Sequence, residues 1–284
     1  MPTLATICAQ LEHSFSPSWA AAWDAVGLVC GDPDQPIHRI LFAVDVTTAV
    51  VTEAEAWEAD LIVAHHPLLL RGVHSVAADT PKGAFLHRLI RAGIALYTAH
   101  TNADVANPGV SDALAATVGL AADLRPLSPD MSDTEGRRGL GRVGELTEPM
   151  ALGAFAEQVV AGLPETAAGI RVAGERRRPV RTVAVCGGAG DSLLAEARTA
   201  GVDVFVTSDL RHHPAVEFAD TSTTALIDTP HWASEWPWLP VAAAELCQAL
   251  GGSLAAEHTT VEVRVSTLVT DAWHDALGCA PPSP

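Results

Sequence analysis

The chain has 284 residues, enough for one large domain or two modest ones with a real core. Hydrophobic residues make up 48% and charged residues 18%, an ordinary globular balance, and no apolar run reaches the roughly 20 residues of a membrane span. A formal net charge of −17 repels phosphate backbones and argues against nucleic-acid binding as the main task.

The first residues carry no basic stretch ahead of an apolar block, so no secretory signal is expected. Five cysteines without CxxC spacing fit reduced thiols in a cytoplasmic protein. Leu4, Ile7, Cys8 and Leu11 share one helical face and predict a helix over 3–12. A loop holding Trp19, Trp23, Asp24 and several glycines follows. Ile37–Asp45 reads as a strand, and Thr47 as the cap of a helix running to about Ala59.

The run Asp60-Leu-Ile-Val-Ala64 is a short buried strand that ends abruptly in His65-His66-Pro67. Both histidines therefore stand at a carboxyl strand end, where open α/β sheets place their ligands. Neighbouring residues on an extended chain point opposite ways, so both imidazoles reach one region only if the backbone bends there. A helix through Phe85, Leu86, Leu89 and Ile90 closes at Gly93. Strand Ile94–Thr98 then runs out into His100-Thr101-Asn102-Ala103-Asp104. Strands alternating with helices predict a largely parallel sheet.

Pro126, Pro129 and glycines break the pattern over 121–148, although Leu140–Leu146 has strand character. A helix over 150–161, strand Val180–Cys186, a turn at Gly187-Gly188-Ala189-Gly190, a helix to Ala200 and strand Val202–Val206 form a second set. The run Arg176-Arg177-Arg178 beside Gly174 and Pro179 reads as a solvated loop. Strand Thr224–Asp228 opens into Thr229-Pro230-His231-Trp232-Ala233-Ser234-Glu235, and prolines at 237 and 240 fix the start of the next helix. A last strand is expected at Glu257–Ser266 and a disordered tail at Pro281–Pro284. The second set echoes the first: each has an aspartate before an apolar strand and a His-His-Pro beyond it. The expected organisation is a first α/β lobe over 1–122, a crossing segment over 123–179, and a second lobe with a closing strand over 180–284. The fold class is α/β: two interlocked lobes with mixed sheets flanked by helices.

Four strand ends thus carry His65-His66, Asp104, Thr207-Ser208-Asp209 with His212-His213, and His231 with Glu235. Mixed imidazole and carboxylate suits zinc, manganese, iron or nickel. His231 and Glu235, four apart, share one face of a helical turn. Three histidines with two carboxylates fit a site for two divalent ions.

Trp23-Asp24-Ala25-Val26-Gly27-Leu28, Ala43-Val44-Asp45-Val46-Thr47, His65-His66-Pro67-Leu68 and His100-Thr101-Asn102-Ala103-Asp104 form a series of motifs. It continues with Cys186-Gly187-Gly188-Ala189-Gly190, Thr207-Ser208-Asp209 and His231-Trp232-Ala233-Ser234-Glu235. Together these resemble the Nif-three-like family, also called GTP cyclohydrolase 1 type 2 homologues, in its short form without a mid-chain inserted domain. The resemblance implies that His65, His66, Asp104, His231 and Glu235 hold two metals. It also implies a ring-shaped homohexamer and, by the family's label, opening of the GTP ring; the leading reading is a divalent-metal-dependent hydrolase of a nucleotide or other small phosphorylated or amide-like molecule. Ala25 and Ser208 depart from it, standing where asparagine and glycine are common. His213 matches a histidine of the family motif and is the candidate acid or base. Asp45, His100, Asn102, Thr207 and Asp209 are candidates for orienting ligands; capping and loop roles remain open for them. Trp232 and Trp236 are either pocket walls or packing anchors. The rival to a hydrolase is a non-catalytic protein for metal storage, delivery or regulation.

Overall fold

The computed structural model describes residues 1–251 and 261–277. Helix α1 (Leu4–Ser14) starts at Thr3, whose hydroxyl accepts the Thr6 amide, and buries the expected face of Leu4, Ile7, Cys8 and Leu11. Strands β1 (Gly27–Cys30) and β2 (Arg39–Ala43) follow. Thr47 caps α2 (Thr48–Ala56), which leads to β3 (Leu61–Ala64). Helix α3 (Pro81–Ala92) has proline in its first turn and ends at Gly93, whose φ of 71° favours a residue without Cβ. Next come β4 (Ala95–Thr98), α4 (Thr101–Val105), α5 (Val110–Thr117), β5 (Arg125–Pro129), β6 (Gly139–Ala151) and α6 (Leu152–Gly162). Strands β7 (Arg171–Ala173) and β8 (Pro179–Ala189) precede α7 (Leu194–Ala200), β9 (Val204–Ser208), α8 (His212–Thr221) and β10 (Ala225–Thr229). The chain continues with α9 (His231–Glu235), α10 (Trp238–Ala249) and β11 (Glu262–Val265). The expected strand residues 257–260 and the tail 281–284 lie outside the described residues.

The chain divides into two compact units. The first comprises Met1–Gly109 and Trp238–Thr270 and holds a five-stranded sheet, order β1-β4-β3-β2-β11. Strands β11, β2, β3 and β4 pair in parallel, and β1 adds antiparallel to β4. Every residue of β3 and β4 is buried, as expected of parallel strands covered on both faces. Val50, Val51, Leu86 and Leu89 of α2 and α3 cover Leu41, Ile62 and Leu96. Elsewhere in this unit Phe15 meets Trp238 of α10 edge-on at 5.4 Å.

The second unit comprises Val110–Pro237 and the segment from Asp271, and its sheet runs β5-β6-β8-β9-β10-β7. Strands β8, β9 and β10 are parallel; β5, β6 and β7 pair antiparallel. The organisation drawn from sequence needs correction here. Residues 123–179 are no crossing segment, because they supply β5, β6, α6 and β7, and 13-residue β6 pairs along β8. The chain passes between units at 109/110, 237/238 and 270/271, so α10 and β11 complete the first unit. The expected turn at 187–190 is likewise mostly strand: β8 runs to Ala189, with its register against β9 broken between Val185 and Ala189. Fully buried Arg142 in β6 pairs bidentately with Asp112 of α5 at 2.8 and 2.7 Å and donates to the Gly139 and Gly141 carbonyls. No helix among the described residues is long and apolar enough to cross a membrane.

The echo between the two halves has a physical basis. Asp60 Oδ2 accepts the His38 and Arg39 amides at 2.6 and 2.9 Å; Asp203 Oδ2 accepts the Arg181 and Thr182 amides, both at 2.9 Å. Each aspartate begins its strand by capping the start of the neighbouring parallel strand. In this register His65-His66 corresponds to Ser208-Asp209, and the second His-His-Pro falls beyond, in α8.

Candidate metal centre

In the first unit, strand pairing continues past β3: the His65 amide donates to Ala43 O at 3.0 Å and the His66 amide to Val44 O at 2.8 Å. The backbone bends at both histidines, as their convergence requires, and their ring centroids lie 5.1 Å apart. His65 is fully buried, and its Nδ1 lies 2.8 Å from the Ala99 carbonyl. A carbonyl only accepts, so Nδ1 carries the proton and Nε2 presents a lone pair. His66 Nδ1 lies 2.7 Å from Asp45 Oδ1, and the other oxygen of Asp45 accepts the Thr270 hydroxyl. His100 Nδ1 lies 2.9 Å from Asp24 Oδ1. One nitrogen from each of His65, His66 and His100 falls within 4.8 Å of the others. Asp104, in the first turn of α4, brings Oδ1 to 3.8 Å from His65 Nε2.

Asp24 is the residue that sequence inspection passed over. Its side chain is fully buried, yet it accepts His100 Nδ1, the Ala25 amide and both the amide and hydroxyl of Thr101. Burial pushes its pKa up, but the bonds from Thr101 and His100 outweigh this and lower it. Burial, helped by His65, lowers the His100 pKa against the pull of Asp24, favouring the neutral ring. Asn102 Oδ1 accepts the His100 amide and its Nδ2 donates to Phe15 O, so Asn102 holds the loop rather than an imidazole.

In the second unit, α9 is a single helical turn that carries both candidate donors. His231 Nε2 and Glu235 Oε1 lie 2.9 Å apart, and His231 Nδ1 lies 2.7 Å from Asp209 Oδ2. Asp209 adopts φ 56°, a left-handed conformation that aspartate tolerates better than most residues. Ser208, where a glycine is common, fits: its buried hydroxyl donates to Ser234 Oγ, which accepts the Gly188 amide and donates to His231 O. These hydroxyls tie α9 to β8 and β9. Gly188 explains the glycine run, since a Cβ there would lie 2.3 Å from Glu235 Oε1 and 3.2 Å from His231 Nε2. Thr207 Oγ1 donates to Gly188 O beneath this cradle.

His213 lies exposed in the first turn of α8, its ring edge-on to His212 at 5.3 Å. Trp232 is buried and stands 6.3 Å from Trp236, a packing role. Four imidazoles thus share one feature: an oxygen of the chain, the Ala99 carbonyl or the carboxylate of Asp45, Asp24 or Asp209, holds Nδ1 and orients the ring. Two carboxylates, Asp104 and Glu235, stand beside Nε2 of His65 and of His231. Within each unit, this mixture of imidazole and carboxylate suits a divalent cation of the borderline type.

The Duf34/NIF3 (NGG1p interacting factor 3) family profile matches residues 2–271. A Streptomyces coelicolor protein named GTP cyclohydrolase 1 type 2 homolog is 51% identical over 284 residues, covering 100% of this chain and 98% of its own. A Mycobacterium leprae protein of the same name is 37% identical over an alignment of 374 residues, so it carries residues that this chain lacks. Among solved structures, a Bacillus cereus protein related to NIF3 matches with TM-score 0.86 at 25% identity, covering 97% of this chain and 99% of its own. The Staphylococcus aureus hypothetical protein SA1388 matches with TM-score 0.84 at 28% identity, covering 97% and 100%. With the profile spanning nearly the whole sequence and a relative at 51% identity, the chain belongs to the Duf34/NIF3 family.

Proposed function

We propose that this chain is a divalent-metal-dependent hydrolase of a nucleotide or similar small molecule. His65, His66, Asp104, His231 and Glu235 would be the donors for two ions. The observation that carries the proposal is the common state of the imidazoles. His65, His66 and His231 each have Nδ1 held by an oxygen of the chain, a carbonyl or a carboxylate, which orients the ring and raises the basicity of the other nitrogen. Divalent ions held by this set would supply Lewis acidity and activate water near neutral pH. The chain's own part is orientation: Asp45 and Asp209 aim two of the rings, the Ala99 carbonyl aims the third, and Gly188 leaves room for Glu235. His213, suggested by the family motif, is the acid–base group to test.

The name of the relatives makes GTP the first substrate to assay. Turnover should vanish on chelation and return with a divalent ion. His213→Ala should lower turnover by roughly 10²–10⁴-fold with metal content intact. Unchanged turnover would remove His213 from the mechanism. Absence of turnover across a metabolite panel, with ready ion exchange, would favour storage or delivery. The assembly we propose, from the family likeness, is a homohexamer, and light scattering showing a monomer at micromolar concentration would contradict it.

A further inference from the structure

We propose that Trp23 is the stacking platform for a flat heteroaromatic ring, such as a purine base, bound beside the imidazole cluster of the first unit. The inference rests on that cluster being an active site. Trp23 is a large apolar side chain left 63% exposed, which is unusual for an indole in a packed domain. It does not hang loose. The Asp24 amide donates to Ala21 O, the Ala21 amide donates to the Thr101 hydroxyl, and the Asp24 carboxylate is held by four donors. The turn carrying the indole is therefore pinned on both sides to the residues that open α4.

The indole meets His100 edge-to-face, with centroids 6.0 Å apart and planes 76° apart. With 63% of the residue exposed, this contact leaves much of the indole open to water. His100 in turn lies 5.3 Å from His65 and 5.5 Å from His66. The indole therefore stands one ring, His100, away from the pair His65 and His66. Aromatic stacking suits this position because it holds any flat ring in place while the polar edge stays free for reaction. Because the turn is already held by its hydrogen bonds, little backbone ordering is left to offset binding.

Binding of GTP and of inorganic triphosphate to the full metal-loaded chain, followed by calorimetry, separates the base from the phosphates. Trp23→Ala should weaken GTP binding about tenfold, leave triphosphate affinity and metal content unchanged, and be largely rescued by Trp23→Phe. Equal GTP affinity in the parent and Trp23→Ala would overturn the inference. So would parental binding of GTP no tighter than triphosphate. A parallel loss of both ligands with a change in molar mass by light scattering would assign Trp23 to a contact between copies instead. Failure of the hydrolase reading is distinguishable: the parent chain would turn over nothing or hold no metal, while the GTP-minus-triphosphate difference would still report on Trp23.

Discussion

The two units solve the same problem with the same parts in different places. Each has an aspartate, Asp60 or Asp203, capping the neighbouring parallel strand through two amides. Each then delivers polar groups from the end of a central strand and from a five-residue helix after the next strand, α4 or α9. In the first unit the strand end supplies the imidazoles His65 and His66, and the helix supplies Asp104. In the second the strand end supplies only the carboxylate Asp209, beside His231, and the helix supplies both candidate donors, His231 and Glu235. The scaffold is thus shared while the position of the candidate donors is exchanged. A parallel-strand end and the helical turn beside it form one platform, and which of the two bears the ligand is a matter of sequence.

The units also differ inside. The second is braced by a fully buried arginine, Arg142, and among the described residues of the first no arginine is buried in this way. Asp112→Ala should therefore be the most damaging change, costing about 3–5 kcal/mol because it strands that guanidinium; chemical denaturation measures it. A loss under about 1 kcal/mol would mean that the carbonyls of Gly139 and Gly141 suffice. Next, Asp60→Ala and Asp203→Ala should each cost about 2–3 kcal/mol, since each removes a charged acceptor from two strand amides. Costs that differ by more than about 1.5 kcal/mol would break the equivalence of the two caps.

Smaller effects should come from the orienting carboxylates. Asp45→Ala and Asp209→Ala should each weaken metal affinity roughly 10–100-fold with the fold intact, by titration against a chelating dye. An effect confined to one of them would show that the two units do not use their aspartates alike.

Much of this was legible in sequence because the strands that carry the site are short, apolar and buried. Leu61–Ala64 is apolar to its last residue, and the apolar start of Ala225–Thr229 gives way to Asp228-Thr229, so the strand ends mark the site directly. The edge strands were harder to see. β5 contains Pro126 and Pro129, which an edge strand accommodates but which read as loop, and β7 has three residues. Asp24 was hidden because its partner His100 lies 76 residues away. The group that sets the His65 tautomer is a backbone carbonyl, which no residue identity announces. The glycines at 187–190 were visible but misassigned to a turn, since a positive φ beneath a carboxylate and a positive φ in a turn select the same residue.

The central claim is that imidazoles and carboxylates from both units serve as metal donors. It is tested most directly by metal analysis of protein purified from its native source, with His65→Ala and Glu235→Ala beside it. The account predicts about two divalent ions per parent chain and about one fewer in each folded variant. Undiminished metal content in both variants would contradict it.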